Sequence, residues 1–344
     1  MFKKFINFFI LLQFISSCVF SSFCFAQASV NTSENNKSIP KVSVIIPVYN
    51  SEKWLNQCLD SVKNQTLKDI EIICINDGST DKSGEILDEY AKNDSRFKVL
   101  HQEKAKISIA RNAGLDNSTG EYITFLDSDD YLELDAYEVA YKLAKKDNVD
   151  ILQYRFKRFN DGEDDSVITN NNFSDAPVHG FDLHIVYSIS NAIWDKFFKA
   201  DVIKDNNIRF ASQMACGDDT CFNRMVVGHM KKMKTIPAIL HHYRFRRDSV
   251  SHKSNRFPEY YKMLKLIYDY WHEKDLIKGR EDLLLIMLVR WCAIFKKSIP
   301  NYAREILNSF GPDIYNRKVL QKCDVRTREI IIMLENYAKY PHKI

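Results

Sequence analysis

Apolar and polar positions alternate in blocks along the first third of the chain. The run at 41–47, KVSVIIP, is β-branched and ends on a proline, which predicts a strand. Over 52–64 the apolar residues Trp54, Leu55, Cys58, Leu59 and Val62 fall at helical spacing, with Ser51 placed to cap. The same reasoning predicts strands at 70–75 and 97–100 and helices at 85–91 and 107–115. A fourth strand, 122–126, runs straight into the carboxylates Asp127, Asp129 and Asp130. Strands alternating with helices specify βαβ units and a mainly parallel sheet. Right-handed crossovers carry all the strand ends to one edge, where open α/β sheets hold their ligands. Pro47, Val48 and Tyr49, then Asp77, then Asp127, Ser128 and Asp129 are therefore expected in one crevice.

The second half is patterned less regularly. A helix is expected at 133–145, a strand at 150–155 and an exposed loop over the Asn- and Asp-rich stretch 160–176. Short helices are expected at 200–204 and 220–227, and alternation at 242–245 suggests a strand. Helical spacing recurs at 260–270, 283–296 and 326–337, in a C-terminal region with no chemical motif. That region is expected to pack on the domain before it or to lie against a membrane.

Composition changes this picture little. The 344 residues are 45% hydrophobic and 27% charged, an ordinary globular balance, and the net charge of +4 does not imply nucleic acid. The N-terminus changes it more. Residues 1–26 have a basic start and a long apolar run ending Phe25-Ala26. They read as a signal peptide or a membrane anchor, and Ile15-Ser16-Ser17-Cys18 also fits a lipoprotein box. Lysines before the run favour an exported body, and an anchor with the body on the cytoplasmic face is the alternative. Residues 27–40 are polar and read as a linker. Of eight cysteines, none forms a CxxC pair. Cys58 and Cys74 sit in apolar patterns and read as buried thiols, while Cys216 and Cys221 lie close enough in sequence to meet.

The chemistry lies in the carboxylates. Asp127 and Asp129 are two apart, so an extended backbone puts them on one face. Two converging carboxylates make a hard oxygen site for Mg²⁺ or Mn²⁺, whose shell substrate phosphates complete. An acidic turn capping the next helix is the simpler alternative, with Asp129 or, more readily, Asp130 as the cap. No glycine-rich phosphate loop follows the first strand, which argues against a dinucleotide-binding enzyme, a P-loop and a nucleotidyltransferase.

The motifs VSVIIPVYN, Gln65-Thr66, INDGSTD, ARNAGL and YITFLDSDD, in this order, resemble a family 2 glycosyltransferase of the GT-A fold. The resemblance is close over 41–150 and looser to about 255, so it implies a GT-A domain at 41–255 and a helical region at 256–344. It implies a nucleoside-diphosphate sugar as donor, typically a UDP-sugar, and a saccharide or lipid-linked acceptor. By position, Pro47, Val48 and Tyr49 would line the base pocket, and Asp77 would accept a hydrogen bond from the base. Arg111 would lie near the nucleotide phosphates, unless it simply pairs with an aspartate. Asp129 and Asp127 would hold the metal, with Asp127 alternatively facing the ribose. The segment from Trp194 to Phe198 resembles the family's W-x-K-L-F/Y stretch, and Trp194 would floor an acceptor sugar or pack in the core. Gly217-Asp218-Asp219 resembles its E-D-x-x-F stretch, so Asp219 would be the catalytic base, with Asp218 beside it in the usual place of a glutamate. Arg244, Arg246 and Arg247 could meet diphosphate or an anionic acceptor, and His241 or His242 could supply a third metal ligand. A non-catalytic sugar- or nucleotide-binding protein on the same fold is the rival reading.

Overall fold

The computed structural model describes residues 39–160, 189–214, 216–246 and 257–276, short strands at 167–168 and 178–179, and residues 278, 328, 329 and 332. The leader, Arg247 and the helices expected at 283–296 and 326–337 lie outside the described residues, apart from 328, 329 and 332, which are helical.

The first half folds as the alternation predicts. Strand β1 is Val42–Val48, β2 is Ile70–Asp77, β3 is Phe97–Gln102 and β4 is Tyr122–Phe125. Helices α1 (Glu52–Lys63), α2 (Ser83–Asn93) and α3 (Ile107–Asp116) connect them. All pairings within the order β3-β2-β1-β4 are parallel. β1 and β2 are buried along their whole lengths, so both faces are covered and the strands read as continuous apolar runs, as parallel strands do.

Beyond β4 the sheet becomes mixed. A two-residue strand, β5 (Tyr131–Leu132), follows the acidic turn, then α4 (Ala136–Asp147) and the ten-residue β6 (Ile151–Asn160). Two short strands, β7 (Val167–Ile168) and β8 (Val178–His179), pair with β6 and β10. β9 (Lys196–Lys199) leads into α5 (Ala200–Asp205), α6 (Asp218–His229) and β10 (Lys232–Phe245). The order continues β4-β9-β6-β10-β5. β9 is antiparallel to both β4 and β6, and β6 runs parallel to β10. β10 is far longer than the strand expected at 242–245. Its register against β6 shifts on either side of Ile239, next to Pro237, which has no N–H to give the ladder. A last helix, α7 (Phe257–Glu273), packs on α6, where the Trp271 indole donates to the Arg224 carbonyl at 3.1 Å.

Two apolar clusters fill the faces of this sheet. One joins Ile45, Ile75, Phe125, Phe198 and Phe222 to α6 and α7. The other joins Val44, Ile72, Leu55, Leu59 and Tyr137 beneath α1 and α4. Cys58, Cys74 and Cys221 are buried thiols, and neither Cys216 nor Cys221 is in a disulfide, so the close pair forms no bridge. Among the described residues no helix is long and apolar enough to cross a membrane.

Candidate active site

The strand ends meet at one edge, and hydrogen bonds between loops hold them there. The starts of α1 and α2 cap one another. Glu52 N–H donates to Asp81 (3.1 Å), Lys82 N–H donates to Glu52 (3.0 Å), and Ser51 N–H donates to the Ser83 hydroxyl (2.9 Å). The Ser51 hydroxyl is 2.6 Å from that of Ser128, which anchors the middle of the Asp127–Asp129 turn to the start of α1. Gln65 is fully buried and holds the segment after that turn, at the approach to α4. Its amide donates to the Glu133 carbonyl at 2.7 Å and accepts from Tyr137 N–H at 2.9 Å.

Asp77 closes β2, and the register sets it directly beside Gln102 at the end of β3. Its Oδ1 accepts from Gln102 Nε2 at 2.6 Å and from Ala105 N–H at 2.9 Å. Gly78 makes the second bond reachable. Its φ is +69°, and a Cβ there would lie 2.5 Å from Lys104 N, so only glycine lets the 103–105 loop close over Asp77. Tyr49 is 40% exposed at this edge, with Lys104 Nζ 4.1 Å above its ring.

Arg111 is the centre of the site. It projects from α3, is 3% exposed, and reaches Asp127 at 3.2 Å, Asp218 at 3.1 Å and Asp219 in a short contact. The salt-bridge alternative thus describes Arg111 in this structure, and the pairing joins the two acidic motifs. Burial alone would lower the guanidinium's pKa, but Asp219, Asp218 and Asp127 raise it above its ordinary value. Asn112, the next residue, exchanges hydrogen bonds with the backbone of Phe210 at 2.9 and 3.0 Å, and so ties α3 to the loop before α6. Asp218 and Asp219 form the first turn of α6, where the helix dipole favours negative charge. This helix begins two residues earlier than the sequence suggests. Asp219 sits deep yet keeps 31% of its side chain open. Burial first, then Asp218 and Asp127, outweigh Arg111 and push its carboxyl up to about 7.

The DxD pair fits a cation. Burial, then Asp130 and Asp127, push Asp129 up to about 7, a crowding of like charge that a divalent ion would relieve. Arg246 supplies part of that relief, 3.0 Å from Asp129. Among the described residues no group of three or more His, Cys, Asp or Glu forms a metal cage. Asp127 and Asp129 suffice for an ion whose shell is finished by phosphates. Neither candidate third ligand is turned to them. His241 bonds Asp130 at 2.9 Å, and His242 bonds Glu133 at 2.8 Å. Burial lowers His241 to about 3, so its ring is neutral.

Two further expectations are corrected. Asp130 is no helix cap, since α4 starts six residues later behind Asp135. It is buried, and it accepts from Arg244 N–H at 2.7 Å and pairs with His241, so it fastens the DxD turn to β10. Trp194 is no open sugar floor. It is 8% exposed, stacks on His241 and Tyr243 at 4.4 and 5.2 Å, and meets Phe156 edge-on. Lys196 of the same segment is fully buried, and its three N–H bonds go to Ser190, Ala192 and Asp195. Sequence reasoning missed Gln102 and the Ser51–Ser128 contact. Their signal is positional, because Gln102 lies one strand across from Asp77, and Ser51 and Ser128 follow the adjacent strands β1 and β4.

At the edge of this α/β sheet, one arginine joins the acidic DxD turn to a second acidic pair. Residues 43–212 match the model of Glycosyl transferase family 2, and the chain belongs to that family. Among relatives, Glycosyltransferase GlyA of Streptococcus pneumoniae is 36% identical over 228 residues, 61% of this chain and 31% of that protein. The uncharacterized glycosyltransferase EpsJ of Bacillus subtilis is 33% identical over 224 residues, 62% of this chain and 63% of that one. The chain thus spans less than two thirds of the length of either relative. The crystal structure of S. aureus TarS 1-349 superposes with a TM-score of 0.70 at 20% identity, over 88% of this chain and 89% of that one, and so shares the fold. TarS 1-349 has also been solved with UDP and with UDP-GlcNAc.

Proposed function

We propose that the protein transfers a sugar from a nucleoside-diphosphate sugar, in the first instance a UDP-sugar, to a saccharide or lipid-linked acceptor in polysaccharide or glycoconjugate synthesis. The observation that carries this reading is Arg111. One guanidinium spans Asp127 of the donor-side turn and the Asp218–Asp219 pair, so donor carboxylate and candidate base stand within a side chain's width. Pro47, Val48, Tyr49 and Asp77 receive the base, and Asp127 and Ser128 lie on the turn beside the ribose and diphosphate. The acceptor oxygen attacks the anomeric carbon, the bond to the diphosphate breaks, and Asp219 takes the acceptor's proton, which inverts the centre. A Mg²⁺ or Mn²⁺ ion on Asp129 and Asp127 would offset charge on the leaving diphosphate. When donor binds, its diphosphate competes with Asp219 for Arg111 and leaves the base free.

The test is release of nucleoside diphosphate from a panel of sugar nucleotides, with and without Mn²⁺, beside Asp219→Asn. Turnover of one donor that Asp219→Asn abolishes supports transfer. Binding without turnover, in the presence of candidate acceptors, would favour the non-catalytic binding protein.

The leader adds a reading of location. Residues 1–26 are proposed to anchor the chain at a membrane or to direct its export. Protease protection of the body in membrane vesicles distinguishes the two sides. A body recovered wholly in the soluble fraction with residues 1–26 intact would refute both.

A further inference from the structure

The base-facing carboxylate of Asp77 is already half used. Oδ1 has two lone pairs, and both are taken, one by Gln102 Nε2 at 2.6 Å and one by Ala105 N–H at 2.9 Å. Oδ2 accepts from none of the described residues, nor is it sealed from solvent. Both donors are rigidly placed. Gln102 is the register partner of Asp77 on the neighbouring parallel strand, and the Ala105 loop is drawn in over Gly78.

From this geometry we infer that Gln102 is the residue that fixes base selectivity, by leaving Asp77 one acceptor atom for a base that offers one N–H. The inference rests on the sugar-nucleotide reading above. Uracil and thymine present a single imide N–H between two carbonyls, and Oδ2 satisfies it. Guanine presents N1–H and an exocyclic N–H side by side, and a carboxylate binds it with both oxygens. Here the second guanine donor would meet an oxygen whose lone pairs are spent. Cytosine and adenine present a ring nitrogen lone pair beside their amino group, which a carboxylate repels. A buried donor left without a partner weakens binding by about tenfold to a hundredfold. Gln102 touches no atom of the donor in this account. It acts through Asp77 and is a positioning residue.

The experiment titrates full-length wild type, Gln102→Met and Gln102→Glu with UDP, GDP and CDP in Mn²⁺, by calorimetry, with thermal melts as a check on folding. Wild type is expected to bind UDP at least about tenfold more tightly than GDP. Gln102→Met frees one lone pair of Oδ1 and narrows the UDP-to-GDP ratio severalfold, with GDP binding improved in absolute terms. A merely structural role would weaken both nucleotides together and leave the ratio unchanged. Gln102→Glu sets a second carboxylate against Asp77 and loses UDP. If Gln102→Met melts as wild type and keeps the wild-type ratio, the inference is overturned while the donor reading stands. If wild type binds no nucleoside diphosphate, both fall together.

Discussion

At the scale of single residues, the site is a balance of carboxylates around one arginine. Asp219 is held up to about 7 by burial and by its acidic neighbours, and only its ionised form can take a proton. The transfer rate is therefore expected to rise with pH across the range around 7, and kcat measured from pH 5.5 to 8.5 checks it (about one and a half pH units either side of the inflection). Asp219→Asn should remove that rise and lower kcat by roughly 10²–10⁴-fold. Replacing Arg111 with Met strands three carboxylates. Asp127 and Asp219 are 27% and 31% exposed, so water shares the burden, and the expected loss is about 1–3 kcal/mol in denaturant unfolding. Asp129 behaves in the opposite sense to an ordinary paired acid. Its pKa of about 7 in the folded protein lies above the unfolded value, so the folded state holds an extra proton between about pH 4 and 7. That contribution to stability is present at low pH, is lost as pH rises through 7, and stays lost above it. Metal-free Asp129→Asn is thus expected to melt a few degrees above metal-free wild type at pH 8 and to lose the Mn²⁺-induced rise in Tm. A lower melting temperature for that variant would count against the crowded-carboxylate account. The positions of Asp77, Asp127, Asp129 and Asp219 in the fold were legible because each ends or follows a strand or opens a helix. Asp130 was misread, and Trp194 was left open between floor and core, for one reason. Their partners, His241 and Tyr243, arrive from more than forty residues away, and local pattern carries no trace of that pairing.

At the scale of elements, α3 is the part that cannot shift. Gly114 lies against the sheet, where a Cβ would come 2.4 Å from Ile45 Cγ2 and 3.1 Å from Ile75 Cδ1. Arg111 sits one turn earlier on the same helix. Gly114→Ala gains about 1 kcal/mol of helix propensity but must push α3 off β1, and a net loss of about 1–2 kcal/mol is expected, with reduced activity from displaced Arg111. A stabilised, fully active Gly114→Ala would show that α3 can back away freely. At the opposite end of the sheet Glu71 pins the starts of the strands. It accepts from Ser43 Oγ (2.5 Å), Thr119 N–H (2.5 Å) and Gly120 N–H (3.1 Å), and pairs with Lys98 (2.5 Å). Burial would raise its pKa, but the bonds from Lys98, Ser43 and Thr119 win and lower it. Glu71→Leu leaves those donors unpaired and should cost about 2–4 kcal/mol, with near wild-type kcat at permissive temperature, since the site lies a full strand length away. The parallel strands and their helices were legible from periodicity. β9 was not, because four residues joining two antiparallel neighbours carry no period of their own, and the bulges beside Pro237 hid the length of β10.

At the scale of the molecule, the sheet has two parts with separate tasks. The parallel part, β3-β2-β1-β4, brings Tyr49, Asp77 and Asp127 to one edge. The mixed part, through β9, β6 and β10, carries Arg244 and Arg246 back to the DxD turn, while α6 delivers Asp218 and Asp219. Arg111 closes the gap between the two. The central claim is that this joint site turns over a sugar nucleotide with Asp219 as base. Its most direct test is steady-state release of UDP from UDP-sugars by the full chain in Mn²⁺, with Asp219→Asn measured alongside for both turnover and UDP affinity. The account predicts turnover of at least one UDP-sugar by wild type, and an Asp219→Asn variant that binds UDP as well as wild type but releases almost none. Equal turnover by the variant, or UDP affinity lost in step with turnover, would contradict it.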